Sequence, residues 1–278
     1  MINFNGTIVA EQANILTQNR GFLYGDAVFE TVRVRNGVVL FLEDHYFRLM
    51  ASMRVVRMEI PMDFTMEYFE EQLLVVAQVN EVSNSARVRI TVYRNDGGYY
   101  LPKNNTISFL VHATALKDAY YVLDENTYEV DLFKDFYITK QLLSSIKSTN
   151  RMLNTTASIY ASENGLDNCL LLNDSKNVVE AIQGNVFMLL GSKLITPPVA
   201  EGCLNGVMRK QILVLAKKIE GIEVIEEVIS PFDLQKADEL FVTNVVKGVQ
   251  PITKYRKKSF QTKIAAQLVA YLNEQIVS

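Results

Sequence analysis

Two long extended runs, Ala86–Arg94 and Asn105–Leu116, stand either side of the turn-rich stretch Asn95–Asn104, which contains Gly97-Gly98 and Pro102. In the first, Val88, Ile90 and Val92 alternate with Arg87, Arg89 and Thr91, which is the period of a strand with one apolar face. Two such runs joined by so short a link predict an antiparallel sheet. Two Asn-Gly steps repeat the signal upstream. Asn5-Gly6 lies within INFNGTIV, and Asn36-Gly37 within VFETVRVRNGVVLF. Each is a hairpin turn between extended segments. The first 40 residues therefore read as strands and turns, with Val32, Val34 and Val38 marking a strand that passes from a sheet surface into the core.

Helices follow by their three- and four-residue spacing. One is expected over His45–Met58, stopped by Pro61, and another over Thr65–Val79. This half is α+β. The strand pattern then ends in polar residues, which divides the chain into an N-terminal α+β domain over 1–117, a linker over 118–126 and a larger C-terminal domain over 127–278. In the latter a helix is expected over Ser148–Asn164, closed by Asn164-Gly165. Strands follow at NCLLLN, VVEAIQGNVFMLL and KLITPP. A helix over Val207–Lys218, a strand at ADELFVTNV and a last helix over Gln261–Ile276 complete the pattern.

Composition removes several classes. Hydrophobic residues make up 49% and charged residues 21%, with a formal net charge of −3. These are the proportions of a globular protein, and they give a nucleic-acid partner no support. No apolar run reaches membrane-spanning length, and no basic-then-apolar leader is visible, so neither a membrane nor export is expected. Cys169 and Cys203 are too few for a disulfide scaffold and fit a reducing, cytoplasmic compartment. The two histidines, His45 and His112, are far apart, so no metal site is expected. His112, in SFLVHATAL, reads as a strand residue; His45 could place its neighbours.

Walker-type loops, HExxH, GxSxG and GxGxxG after a strand are all absent. What remains is dispersed. Lys147, in LLSSIKSTNRMLN, sits between an apolar stretch and a helix start; an arbitrary lysine there is a solvated one, but a buried lysine can hold a neutral amine. Glu180 ends NVVE, where a surface role is the ordinary one and a partner for a pyridine nitrogen is the chemical one. Gly202–Arg209 has two glycines ahead of a helix opening near Val207, and Arg48 adds a cation. Each can be a plain turn or a solvated side chain, or together they can hold an anion on helix N–H groups.

Taken together these segments resemble the fold-type IV pyridoxal-phosphate enzymes, the family of branched-chain aminotransferases, D-amino acid aminotransferases and aminodeoxychorismate lyases. The resemblance runs nearly end to end: Asn19–Val34, Leu42–Leu49, Ile146–Asn154, Val178–Phe187, Ile195–Lys210 and Ala237–Asn244 match in order and spacing. It implies a two-domain α+β fold like that of D-amino acid aminotransferase, with a smaller N-terminal and a larger C-terminal domain. It implies pyridoxal 5'-phosphate as cofactor, a small-molecule amino substrate and a homodimer with the active site near the interface.

By this resemblance Lys147 carries the cofactor as a Schiff base and shuttles the substrate's α-proton. Arg48 binds the phosphate, with backbone donors at Gly206, Val207 and Met208. Glu180 partners the pyridine nitrogen, Asn185 supports the site, and Leu204 packs on the ring. Tyr24, Phe29, Arg89 and Tyr99 line the substrate pocket, Tyr24 being lent across the dimer. Two departures stand out. Val245 falls where many family aminotransferases have a phosphate-binding threonine, leaving Thr243 or backbone groups to compensate. Tyr99 stands where some lyases carry an arginine. Lys147–Arg151 reads Lys-Ser-Thr-Asn-Arg, not the Gly-Gly-Asn-Tyr type run that follows the lysine of branched-chain enzymes, and so favours a lyase forming 4-aminobenzoate and pyruvate from 4-amino-4-deoxychorismate. An aminotransferase of branched-chain or D-amino acids is the alternative. A non-catalytic descendant would be signalled by loss of Lys147, Arg48 or Glu180, and all three are present.

Overall fold

In the computed structural model the described residues are 1–10 and 18–277; for residues 11–17 the expectation of strand and turn lies outside them. The chain divides into two compact units, one of residues 1–119 with 146–150, the other of residues 120–145 with 151–278.

The first unit contains β1 (Ile2–Phe4), β2 (Thr7–Val9), α1 (Arg20–Tyr24), β3 (Ala27–Arg35), β4 (Val38–Val39), α2 (Leu42–Val55), α3 (Met66–Val79), β5 (Ser85–Arg94) and β6 (Ile107–Ala115). Its six strands form one antiparallel sheet in the order β2-β1-β6-β5-β3-β4. Both Asn-Gly steps are hairpin turns with positive φ at Asn and Gly, the type I′ geometry that matches strand twist. Val28, Val32, Val88, Ile90 and Val111 from the sheet are fully buried in one core with Leu49 and Met53 of α2 and Phe69, Leu73 and Val76 of α3. Strand alternation turns Phe29, Thr31, Arg87 and Arg89 to the opposite face.

Several boundaries differ from the sequence reading, each for a local reason. The turn Arg20–Tyr24 is helical. The Asn19 side chain caps it by accepting from the Phe22 amide, and Gly25 ends it at φ 62°. Helix α2 starts three residues early, with Glu43 and Asp44 in its first turn where they complement the helix dipole. It ends at Val55, ahead of Arg57 in the left-handed region, and so before Pro61 acts. Helix α3 begins as expected, with Thr65 accepting from the Tyr68 amide. Strand β3 is buried along nearly its whole length and does not pass from surface to core.

The second unit contains β7 (Glu129–Ile138), α4 (Leu142–Ser145), α5 (Met152–Glu163), β8 (Asn168–Asn173), β9 (Val178–Ala181), β10 (Gly184–Leu190), β11 (Lys193–Thr196), α6 (Val207–Leu215), β12 (Glu223–Glu226), β13 (Glu239–Asn244), β14 (Gly248–Ile252), β15 (Lys254–Tyr255), β16 (Lys258–Ser259) and α7 (Lys263–Val277). Its mixed sheet runs β12-β11-β10-β9-β8-β7-β15-β16, and β13 branches from β10 to pair with β14. Val130, Leu170, Val186, Leu240 and Val242 form its main core. On the opposite side Ala157 and Ala161 of α5 pack on Phe133 and Leu171. Tyr120–Asn126, expected as linker, begins this unit. Tyr121 is buried, donates through its hydroxyl to the Val245 carbonyl, and exchanges two hydrogen bonds with Asn273.

The helix expected from Ser148 starts only at Met152. Residues 147–149 are extended because they pair with β3: Phe29 N–H donates to the Lys147 carbonyl (2.8 Å), Thr149 N–H to the Ala27 carbonyl (3.0 Å), and Ser148 bridges Val28. Among the described residues no helix is long and apolar enough to cross a membrane.

Leu73 has no exposed surface. Leu73→Ala is expected to cost about 2–5 kcal/mol, the transfer term plus the cavity it leaves, read as a lowered urea midpoint at unchanged slope. A loss below about 1 kcal/mol would show that α3 does not anchor this core.

Candidate active site

In the first unit the organising group is a buried carboxylate. Glu30, in the middle of β3, points toward α2. Arg48 grips it with two parallel bonds, Nε to Oε1 at 2.7 Å and Nη2 to Oε2 at 2.6 Å, and His45 Nδ1 lies 2.8 Å from Oε2. His45 and Arg48 are three residues apart and so share one helix face. Burial pushes the Glu30 carboxyl up, but the Arg48 charge and the His45 hydrogen bond and charge outweigh it and bring it down to about 2. Burial, more than Glu30 can offset, lowers the His45 pKa. The ring donates from Nδ1 to the carboxylate.

Next along β3, Phe29 faces the other way. The strand pairing that fixes Ile146–Asn150 puts Lys147 beside it, with Nζ 4.7 Å from the ring centroid. Arg89 of β5 stacks on the same ring at 3.7 Å and donates from Nε to the Thr91 hydroxyl at 3.2 Å. Lys147, Phe29 and Arg89 thus form one group, and Arg48 is held through Glu30. Tyr24 closes α1, with its ring 6.0 Å from that of Tyr100. Tyr99 is 83% exposed in the loop after β5.

The second unit brings together most of the residues expected there. Glu180 and Asn185 are direct cross-strand partners on β9 and β10. Between them they hold one residue by both backbone groups: the Leu204 amide donates to Glu180 Oε2 at 2.9 Å, and Asn185 Nδ2 donates to the Leu204 carbonyl at 2.8 Å. Gly206 follows as the N-cap of α6, with no side-chain cap, so the first amides of the helix, from Val207 and Met208 onward, have no intrahelical acceptor. A Cβ at Gly206 would collide with Asn185 Oδ1, which is why glycine stands there. Arg209 is buried and ties this turn down through the Pro197 carbonyl (2.9 Å) and Glu226 (2.5 Å). Thr243 pairs with Asn185 in register, its hydroxyl 3.5 Å from the Asn185 carbonyl. Val245 is buried, and its carbonyl receives the Tyr121 hydroxyl. Burial, with the Glu180 charge adding to it, pushes the Cys203 thiol up to about 12.

Sequence reading missed Glu30. The signal was there: a lone carboxylate inside AVFETV, a strand otherwise without acids, needs a partner when buried, and His45 and Arg48 are spaced to supply it.

The amino-transferase class IV family model matches residues 27–255. The chain belongs to the class IV aminotransferases. It is an enzyme of that family. It is 30% identical over 275 residues to a Methanocaldococcus jannaschii protein named as a branched-chain-amino-acid aminotransferase, covering 99% of this chain and 94% of that one. It is 28% identical to the aminodeoxychorismate lyase of Bacillus subtilis, covering 97% and 93%. D-alanine aminotransferases are further relatives. Among solved structures, the branched-chain aminotransferase from Thermoproteus uzoniensis, crystallised with norvaline, superposes with a TM-score of 0.86 at 22% identity over 99% of this chain and 96% of that one. It shares the fold.

A carboxyl held near 2 in the folded chain, against an ordinary 4.5, contributes stability in full above 4.5 and loses it as the pH falls toward 2. Glu30→Gln, which leaves Arg48 without its carboxylate, is expected to cost about 3–5 kcal/mol at pH 7. The gap between the urea midpoints of wild type and variant should close between pH 4.5 and 2; a constant gap would contradict the pairing. Cys169 and Cys203 are free and have no exposed surface. Neither is expected to react with a thiol reagent at pH 8 until the chain is unfolded, when both should; rapid labelling of the native protein would contradict their burial.

Proposed function

We propose that this chain is a pyridoxal 5'-phosphate-dependent aminotransferase that takes the amino group of a small apolar amino acid, branched-chain in the first instance. The observation that carries this is the grouping around Phe29: an amine, Lys147 Nζ, and a guanidinium, Arg89, on one aromatic ring. An α-amino acid offers matching parts, a carboxylate for Arg89 and an apolar side chain for the ring.

The residues present suit the cofactor. The α6 turn, with its amides lacking intrahelical acceptors and with Gly206 keeping the backbone clear of a side chain, suits a phosphate. The resemblance assigns the phosphate's cation to Arg48, whose guanidinium plane is set by its bonds to Glu30 through Nε and Nη2. Thr243 is the remaining hydroxyl candidate. Glu180, oriented by the Leu204 amide, would keep a pyridine nitrogen protonated, with Leu204 against the ring and Asn185 holding Leu204. When bound, pyridoxal phosphate supplies an electron sink for the substrate's α-carbon. Lys147 would move a proton from the substrate's α-carbon to the cofactor in the first half of the reaction and in the opposite direction in the second. Phe29, Tyr24 and Tyr99 would line the pocket, and Tyr24 would serve the second copy of a homodimer. The two buried free thiols suit a cytoplasmic enzyme.

The lyase reading, 4-aminobenzoate and pyruvate from 4-amino-4-deoxychorismate, stays as the second, supported by the Lys147–Arg151 run and by the Bacillus subtilis relative. Lys147 would remove the same proton in both. Relatives named as aminotransferases, the M. jannaschii protein among them, favour the first.

The test is incubation of the holoenzyme with L-leucine, L-valine, D-alanine or aminodeoxychorismate, without an acceptor. One equivalent of 2-oxo acid per site from an amino acid is the expected result, and it names the donor. Catalytic pyruvate from aminodeoxychorismate alone would put the lyase in its place. Lys147→Ala should lose the cofactor's visible absorbance band and at least about 10³-fold in turnover; a variant with wild-type rate would remove Lys147 from the site.

A further inference from the structure

Arg20 is 3% exposed, although it opens a five-residue helix at the surface of its unit. Its Nε donates to Asp26 Oδ2 at 2.9 Å. Its Nη1 faces three successive carbonyls of the loop after β5: Gly97 at 3.1 Å, Gly98 at 3.4 Å and Tyr99 at 2.7 Å. The guanidinium carbon lies 4.9 Å from the centroid of the Tyr24 ring, and that ring meets Tyr100. Asp26 Oδ2 also accepts from Arg94 Nε at 2.9 Å, and Arg94 in turn donates to the Val56 and Arg57 carbonyls and to Asn105 Oδ1. One carboxylate therefore joins two buried arginines that hold opposite ends of the loop 95–105.

Within the loop the Lys103 amide donates to the Gly97 carbonyl at 3.3 Å and Gly98 bridges Pro102, but the tip side chains are not packed. Tyr99, Tyr100 and Leu101 are 83%, 91% and 85% exposed. Gly97 and Gly98 take φ of 109° and 77°, and a Cβ on Gly98 would strike the Leu101 carbonyl. Those torsions turn the three carbonyls inward to Arg20. A segment with so few buried contacts opens readily unless it is tied by specific bonds, and hydrogen bonds from a charged donor are the stronger kind.

We propose that Arg20 is a positioning residue for substrate selection: it fixes Tyr24 from one side and the Gly97–Tyr99 backbone from the other, so that the aromatic wall around the amino acid is preformed. This rests on the reading above that Tyr24 and Tyr99 line the substrate pocket. Arg20 would act on binding of the donor and leave cofactor and proton transfer alone.

The holoenzyme and its Arg20→Ala, Arg20→Lys and Gly98→Ala variants decide it. In Arg20→Ala the donor KM should rise roughly ten- to hundredfold, the size of losing charged hydrogen bonds, with kcat within about threefold and the cofactor absorbance unchanged. Chymotrypsin cleavage at Tyr99–Leu101 should quicken by at least roughly tenfold as the loop opens. Lysine keeps a donor for the carbonyls, so Arg20→Lys should recover part of both effects. Gly98→Ala disturbs the same carbonyls with Arg20 intact and should reproduce both; it and the lysine variant decide the matter if Arg20→Ala does not fold. Cleavage and KM within twofold of wild type would overturn the proposal. So would faster cleavage with unchanged KM, or an equal loss of KM and kcat performance with loss of the cofactor band. A wild-type chain that turns over none of the donors would sink the reading of function, and the cleavage ratios would then decide by themselves whether Arg20 ties the loop.

Discussion

The first unit depends on the ion pair between Glu30 and Arg48. A carboxylate with 1% of its side chain exposed is tolerable only where bonded cations and donors replace its water. Arg48 does so with a two-pronged grip, and His45 fills another lone pair. Both come from one face of α2, so the pair sets the helix's rotation and its position along β3, which apolar packing alone would leave free to slide. Strand alternation then carries the constraint across the sheet. With Glu30 fixed inward, Phe29 must face outward, and the segment that pairs with β3 must bring Lys147 alongside it. The place of the Lys147 amine thus follows from a charge on the other face of the sheet.

The second unit reaches similar precision by gripping the backbone of one turn. Glu180 and Asn185 sit opposite each other across two strands and take the amide and carbonyl of Leu204 between them. One residue held by both its N–H and its C=O has the peptides on either side of it fixed, so the residues after it enter α6 along one path. Gly206 completes the arrangement because Asn185 Oδ1 occupies the space a side chain would need. The bond from the Leu204 amide also uses one carboxylate oxygen of Glu180, which fixes the direction of the other. Arg209 holds the same turn from behind. An anion-receptive helix start is therefore built before any anion arrives, which lowers the ordering cost of binding one.

What could be read from residues alone follows from how far apart the deciding contacts lie. The Asn-Gly hairpins, the Thr65 cap and the β5–β6 pair rest on neighbours in sequence, and each was legible. Glu180, Asn185, Leu204 and Gly206 were found through their resemblance to a family, since no local rule links residue 180 to residue 204. The failures have the same cause. Ser148 and Thr149 were expected in a helix but are extended, because the backbone of 147–149 pairs with β3, about 120 residues away in sequence. Glu30 looked like an ordinary polar residue in a strand until Arg48 and His45 were placed over it. Arg20 belongs to a motif whose resemblance was recognised, yet its partners, the carbonyls of residues 97–99, carry no side-chain signature at all.

The two candidate reactions begin with loss of the same proton, so the groups that hold the amine and a cofactor have no reason to differ between them. Selection falls to the surface the substrate meets. On the function proposed above, that surface would include one aromatic ring, Phe29, already stacked by a guanidinium, Arg89. Arg89 is not a long side chain sampling solvent: the Phe29 face and the Thr91 hydroxyl fix its plane. On that same function, an α-carboxylate would meet Arg89, and the apolar remainder of a small amino acid would lie against the Phe29 ring and not against water. A substrate with further charged groups would need more donors at the same wall. By the resemblance, the position where some lyases carry an arginine is Tyr99 in this chain, a neutral side chain on a backbone that Arg20 holds through its carbonyl.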